Sequence, residues 1–139
     1  FKNIVAIVSG CMSAYSLGHN AQALLITHAT TELENLIKIV KGDPKTALSL
    51  AGIGDIVLSA TSTISRNFQY GQSIAQGLVK KNTTIEGKTN LQLMIKKLHD
   101  LKQDKPTIIE LAEQCIAYPK KSKQQIIQWL QKKANKKQN

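Results

Sequence analysis

Apolar residues recur along most of the chain at intervals of three and four, the period that predicts amphipathic helices. At the start Phe1, Ile4, Val5, Val8, Cys11 and Met12 fall at this spacing, Ile7 widens the stripe, and Lys2, Ala6, Ser9 and Ser13 form a narrow second face. A segment this apolar predicts a buried helix over residues 1–13. Residues 15–20 contain Gly18 and Asn20 and read as a turn; Ala21, Leu24, Leu25, Leu33, Leu36, Ile37 and Val40 then predict a second helix ending near Gly42. Pro44 opens a short helix through Leu50. Residues 51–67, AGIGDIVLSATSTISRN, hold neither period. Ile56, Val57 and Leu58 favour a strand, but no other run exists to pair with them, so a short helix after Asp55 is the better expectation. Helix resumes over 68–77, and residues 80–84 make a polar connection. Leu91, Met94, Ile95, Leu98 and Leu101 form the next seam, Pro106 opens a helix that Pro119 closes, and a last helix carries Ile126, Trp129 and Leu130.

No repeat and no alternation of strands with helices is visible, so the expected fold class is all-α: a single domain of about six or seven helices over residues 1–131. The Lys-rich end, residues 132–139, reads as a solvated tail. With 139 residues and 42% hydrophobic content the chain supports one core and excludes both disorder and most two-domain enzymes. The first apolar stretch is broken by Ser9 and Gly10, far short of the roughly 20 residues a bilayer needs, so neither a membrane span nor a signal peptide is expected. Cys11 and Cys115 have no near partner in sequence, and the three His lack metal-ligand spacing. A reducing, cytoplasmic setting without a bound metal follows, and there the glycosylation acceptor Asn82-Thr83-Thr84 has no role. Because the chain opens at Phe1, inside an apolar pattern and without an initiator Met or a helix cap, it reads as a piece of a longer polypeptide.

Charge narrows the partners. Lys and Arg number 19 against 9 Asp and Glu, a formal +10, and every basic residue except Arg66 is Lys. Three Tyr, two Phe and one Trp are too few to interleave with the lysines, and no groove-reading motif appears, so a nucleic-acid partner is not expected.

Three positions carry candidate chemistry. Ser65, Arg66 and Asn67 stand where a helix begins, which gathers free N–H groups, hydroxyls and a guanidinium into a seat for a phosphate; ordinary N-capping by Ser65 is the alternative. Asp55 follows Gly52-Ile53-Gly54, where a carboxylate accepts hydrogen bonds from a hydroxylated ligand, steadies an ammonium, or simply caps a helix. The GIGDIV run lacks the third glycine and preceding strand of a dinucleotide fingerprint. Lys2, at the start of the most apolar helix, is placed either to exchange a proton with a carbonyl or alcohol oxygen or to snorkel into solvent. His19, His28 and His99 read as surface or boundary residues.

Taken in order, FKNIVAIVSG, LGHNAQALLITHATTEL, LAGIGDIVLSATSTISRNFQYG and TIEG closely resemble the C-terminal domain of bacterial NAD(P)-dependent glycerol-3-phosphate dehydrogenases, over roughly residues 1–118. The resemblance implies an all-α substrate domain that follows an N-terminal Rossmann domain, with the active site between them. It implies interconversion of dihydroxyacetone phosphate and sn-glycerol 3-phosphate for phospholipid synthesis, with NAD or NADP as cofactor and a homodimer left open. By motif, Lys2 matches the catalytic lysine, Asp55, Ser65, Arg66 and Asn67 join it in substrate binding, and Arg66, Thr84 and Glu86 match cofactor contacts. The chain departs from the family at His19, Gln22, His28-Ala29 and Ser59, has Thr84-Ile85-Glu86-Gly87 for VVEG, and shortens the connection before it. The competing expectation is a basic helical interaction module, binding an anionic partner without chemistry.

Overall fold

The computed structural model describes residues 1–79 and 84–135. Most of the expected polar connection, Asn82 and Thr83 of the acceptor sequence, and residues 136–139 lie outside them. Seven α-helices run in order among the described residues: α1 Lys2–Ala14, α2 Gly18–Ile39, α3 Asp55–Thr61, α4 Arg66–Gln76, α5 Glu86–Asp100, α6 Thr107–Ala117 and α7 Ser122–Asn135. No strand occurs among them, so the short Ile56–Val57–Leu58 run is helical, as preferred. Helix α7 continues through Lys132, Lys133, Ala134 and Asn135, inside the stretch read as a tail.

Helix α1 is the axis of the domain. Its residues from Asn3 to Met12 are all buried, and each of the other six helices packs on it. Its narrow second face is buried with the rest: Ala6 and Ser9 are fully enclosed. Burial is tolerable because the hydroxyl is satisfied in place. Ser9 Oγ donates to the Ala60 carbonyl of α3 at 2.6 Å, and Gln22 Nε2 of α2 donates both to Ser9 Oγ at 2.7 Å and to that carbonyl at 2.8 Å.

Helices α1 and α4 cross in backbone contact. A Cβ on Gly10 would lie 2.0 Å from the Phe68 carbonyl oxygen, and one on Gly71 would lie 2.0 Å from that of Ile7. Only glycine permits this approach. Cys11 Sγ donates to the Gly71 carbonyl at 3.1 Å across the same crossing.

Between α2 and α3 the chain makes a 3-10 turn, Pro44–Leu48, capped by Asp43, whose Oδ1 accepts from the Lys45 amide at 3.0 Å. A π-helical turn over Leu50–Gly54 follows and runs straight into α3. The GIG run is therefore helical rather than an open turn. Its first glycine is required by contact, since a Cβ on Gly52 would lie 2.3 Å from the Ala47 carbonyl oxygen and 2.4 Å from that of Thr46.

Helices α5 and α6 are preceded at their cap positions by Ile85 and Pro106, neither of which supplies a capping side chain. The orphan N–H groups of their first turns are met from neighbouring helices instead. Asn67 of α4 caps α5, its Oδ1 accepting from the Gly87 amide at 2.8 Å. Glu32 of α2 caps α6: Oε1 accepts from the Thr107 amide at 2.9 Å and its hydroxyl at 2.6 Å, and Oε2 accepts from the Ile108 amide at 3.1 Å.

Candidate functional site

The expected site residues sit at the N-terminal ends of α1, α3, α4 and α5. Lys2 occupies the first position of α1 and Asp55 the first of α3, and their side chains meet, Lys2 Nζ donating to Asp55 Oδ2 at 2.9 Å. Asp55 is therefore not an N-cap: the π-helical turn enters α3 through Gly54 in helical conformation. Nor does Lys2 simply snorkel, since it has a fixed carboxylate partner. The two side chains are 43% and 41% exposed, so the pair adds less than about 1 kcal/mol to stability. A contact of so little structural worth leaves the ammonium reachable by a ligand and aligned by the carboxylate.

Helix α4 opens with the Ser-Arg-Asn run. Ser65 is its N-cap, with Oγ accepting from the Phe68 amide at 3.5 Å, a long bond that leaves the hydroxyl free to turn toward a ligand. Arg66 is exposed and makes no salt bridge among the described residues. It lines a hollow of about 330 Å³ with Gln69, Tyr70, Ser73, Thr84 and Ile85. Thr84, an expected cofactor contact, thus shares a wall with the guanidinium. Tyr70 and Ser73 were not legible as site residues; their signal is the helical spacing 66-69/70-73, which puts them on the face that Arg66 occupies. Burial, with Cys11 adding to it, pushes the Tyr70 hydroxyl up, so it is a proton-bearing donor at neutral pH.

Gly87 joins the two groups. A Cβ there would lie 2.7 Å from Ile7 Cδ1, 2.8 Å from the Asn3 carbonyl oxygen and 2.8 Å from Asn67 Oδ1, so the start of α5 is pressed into the notch between α1 and α4. Glu86, next to it, is exposed. The structure brings together Lys2 with Asp55 directly, and Asn67 with the Thr84–Glu86 edge through Gly87.

The N-termini of α1, α4 and α5 meet around Gly87 and turn their positive ends to this corner, with one ammonium and one guanidinium added. Such a corner attracts a dianion and gives it donors of fixed direction. Among the described residues no group of three His, Cys, Asp or Glu is placed to hold a metal ion, and no helix is long and apolar enough to cross a membrane. A separate hollow of about 290 Å³ between α2 and α5, lined by Leu33, Leu36, Ile37, Met94 and Leu98, is apolar apart from Lys97 and offers no chemistry.

An all-helical domain with a lysine–aspartate pair beside a Ser-Arg-Asn helix start is the architecture of a helical substrate domain. The family described as NAD-dependent glycerol-3-phosphate dehydrogenase C-terminus matches residues 1–128, and the chain belongs to it. The glycerol-3-phosphate dehydrogenase, NAD(P)+, of Saccharophagus degradans is 34% identical over 135 residues, covering 93% of this chain and 37% of the relative. The enzyme of that name from Phytoplasma mali is 32% identical over 124 residues, covering 85% and 38%. That of Acholeplasma laidlawii is 44% identical over 87 residues, covering 63% and 26%. The chain spans little more than a third of the length of these curated relatives.

Proposed function

We propose that this chain is the substrate half of an NAD(P)-dependent glycerol-3-phosphate dehydrogenase that interconverts dihydroxyacetone phosphate and sn-glycerol 3-phosphate in the cytoplasm, feeding phospholipid synthesis. The observation that carries the reading is the Lys2–Asp55 pair at 2.9 Å beside a helix start bearing Ser65, Arg66 and Asn67. Arg66 and the α4 N–H groups hold the phosphate, and Ser65 and Asn67 add donors. Lys2 gives a proton to the C2 oxygen as the ketone is reduced and takes it back in the reverse direction, while Asp55 holds the ammonium in place. Residues fitting a dinucleotide are at hand: the hollow shared by Arg66 and Thr84 is open, and its guanidinium is not committed to a carboxylate. The dinucleotide supplies or accepts the hydride; most of its contacts come from a Rossmann domain that precedes this one.

The test is complementation. The chain alone is expected to leave NAD(P)H unoxidised with dihydroxyacetone phosphate, and to gain activity when joined to the dinucleotide-binding portion of the Saccharophagus degradans relative. In that hybrid Arg66→Ala raises the KM for dihydroxyacetone phosphate and Lys2→Ala mainly lowers kcat. A hybrid that binds phosphate but stays inactive would show a basic binding module instead.

A further inference from the structure

We propose that Asn67 is a positioning residue that relays occupancy of the phosphate seat to the Thr84–Glu86 edge through its hydrogen bond to Gly87; this rests on the reading of residues 65–67 given above. Asn67 is only 7% exposed, and its amide has one possible orientation. Oδ1 is held by the Gly87 N–H at 2.8 Å, a donor that α5 cannot satisfy by itself because it belongs to the first helical turn and Ile85 provides no cap. The amide is planar, so fixing the oxygen fixes the NH2 on its other side, and that NH2 donates to no group within the described residues.

One side chain thus holds an acceptor locked onto α5 and a donor still free beside Arg66. An oxyanion that accepts from Nδ2 polarises its N–H bond, pushes electron density through the conjugated amide onto Oδ1 and makes that oxygen a stronger acceptor, the ordinary cooperativity of hydrogen-bond chains. Phosphate binding then tightens the Oδ1 bond to Gly87. Gly87 has no slack to absorb the change, being wedged against the Asn3 carbonyl oxygen and Ile7. The response passes to its neighbours Glu86 and Thr84, so the substrate seat and the cofactor edge are tied by one hydrogen bond.

The experiment follows backbone amides of the 139-residue chain by NMR while sn-glycerol 3-phosphate, and separately inorganic phosphate, is added. Without ligand, Gly87 N–H should exchange with solvent about tenfold faster in Asn67→Ala than in the unaltered chain. Asn67→Asp keeps an oxygen on Gly87 but loses the donor and adds a negative charge, so it should restore the protection while abolishing the response to either phosphate. In the unaltered chain, ligand should move the Gly87 resonance and slow its exchange along with shifts at Phe68 and Gln69. Shifts at α4 with an unresponsive Gly87 would overturn the relay and leave the phosphate seat standing. No shift at α4 with either ligand would instead overturn the reading of the seat, and with it the relay.

Discussion

Two glutamates lie two positions apart on α2 and should differ several-fold in worth. Glu32 accepts three hydrogen bonds from the start of α6, two from backbone N–H groups and one from the Thr107 hydroxyl. Glu34 pairs with Lys38 one turn along at 2.6 Å, with both side chains about half exposed. In Glu32→Ala the lost cap costs about 1 kcal/mol. The Ile108 amide, whose residue is fully buried, is left without a partner at about 1–3 kcal/mol more. The expected sum of about 3 kcal/mol lowers Tm by roughly 10 °C in a domain of this size. Glu34→Ala should cost less than about 0.5 kcal/mol. Thermal unfolding followed by circular dichroism measures both. Trp129 fluorescence gives a local reading, because its Nε1 donates to Thr107 Oγ1 at 3.0 Å and loosening of that hydroxyl exposes the ring. Equal losses in the two variants would refute the assignment of Glu32 as the α6 cap.

Gly71→Ala drives a methyl to within 2.0 Å of the Ile7 carbonyl oxygen and should destabilise the domain by about 3 kcal/mol or more, read from the urea midpoint. The neighbouring Cys115 thiol, and then burial, push the Cys11 thiol up, so both enclosed thiols should resist alkylation at pH 8 until the chain unfolds. Cys11 and Tyr70 both have folded-state values raised above their ordinary ones, so the unfolded chain releases these protons first. Stability is then flat near neutrality and falls above roughly pH 9; a urea midpoint that rose in that range would contradict the shifts.

The sequence period placed α1, α2, α5, α6 and α7 because each carries a stripe that must be buried, and burial is what periodicity encodes. What it does not encode is how Ser9 is satisfied inside, because Gln22 and the Ala60 carbonyl arrive from other elements. The GIG run resisted reading for a similar reason: Gly52 answers to the backbone of the preceding turn, not to its own torsions. At the site, Lys2, Asp55 and Arg66 were legible as residue types, but their pairing was not, because 53 residues separate the lysine from its carboxylate. The two caps supplied from other helices leave only a negative trace, cap positions occupied by Ile85 and Pro106, which have nothing suitable to offer. The resemblance implies only a substrate contact for Asn67, and its hydrogen bond to Gly87 emerges only in three dimensions.

The convergence of Lys2, Asp55 and Arg66 on one ligand is tested most directly by a crystal structure of the chain with sn-glycerol 3-phosphate. The phosphate should rest on Arg66 and the first turn of α4, with the C2 hydroxyl beside Lys2 Nζ. A ligand held by the arginine with its C2 oxygen turned away from the lysine, or seated elsewhere on the domain, would contradict the proposed site.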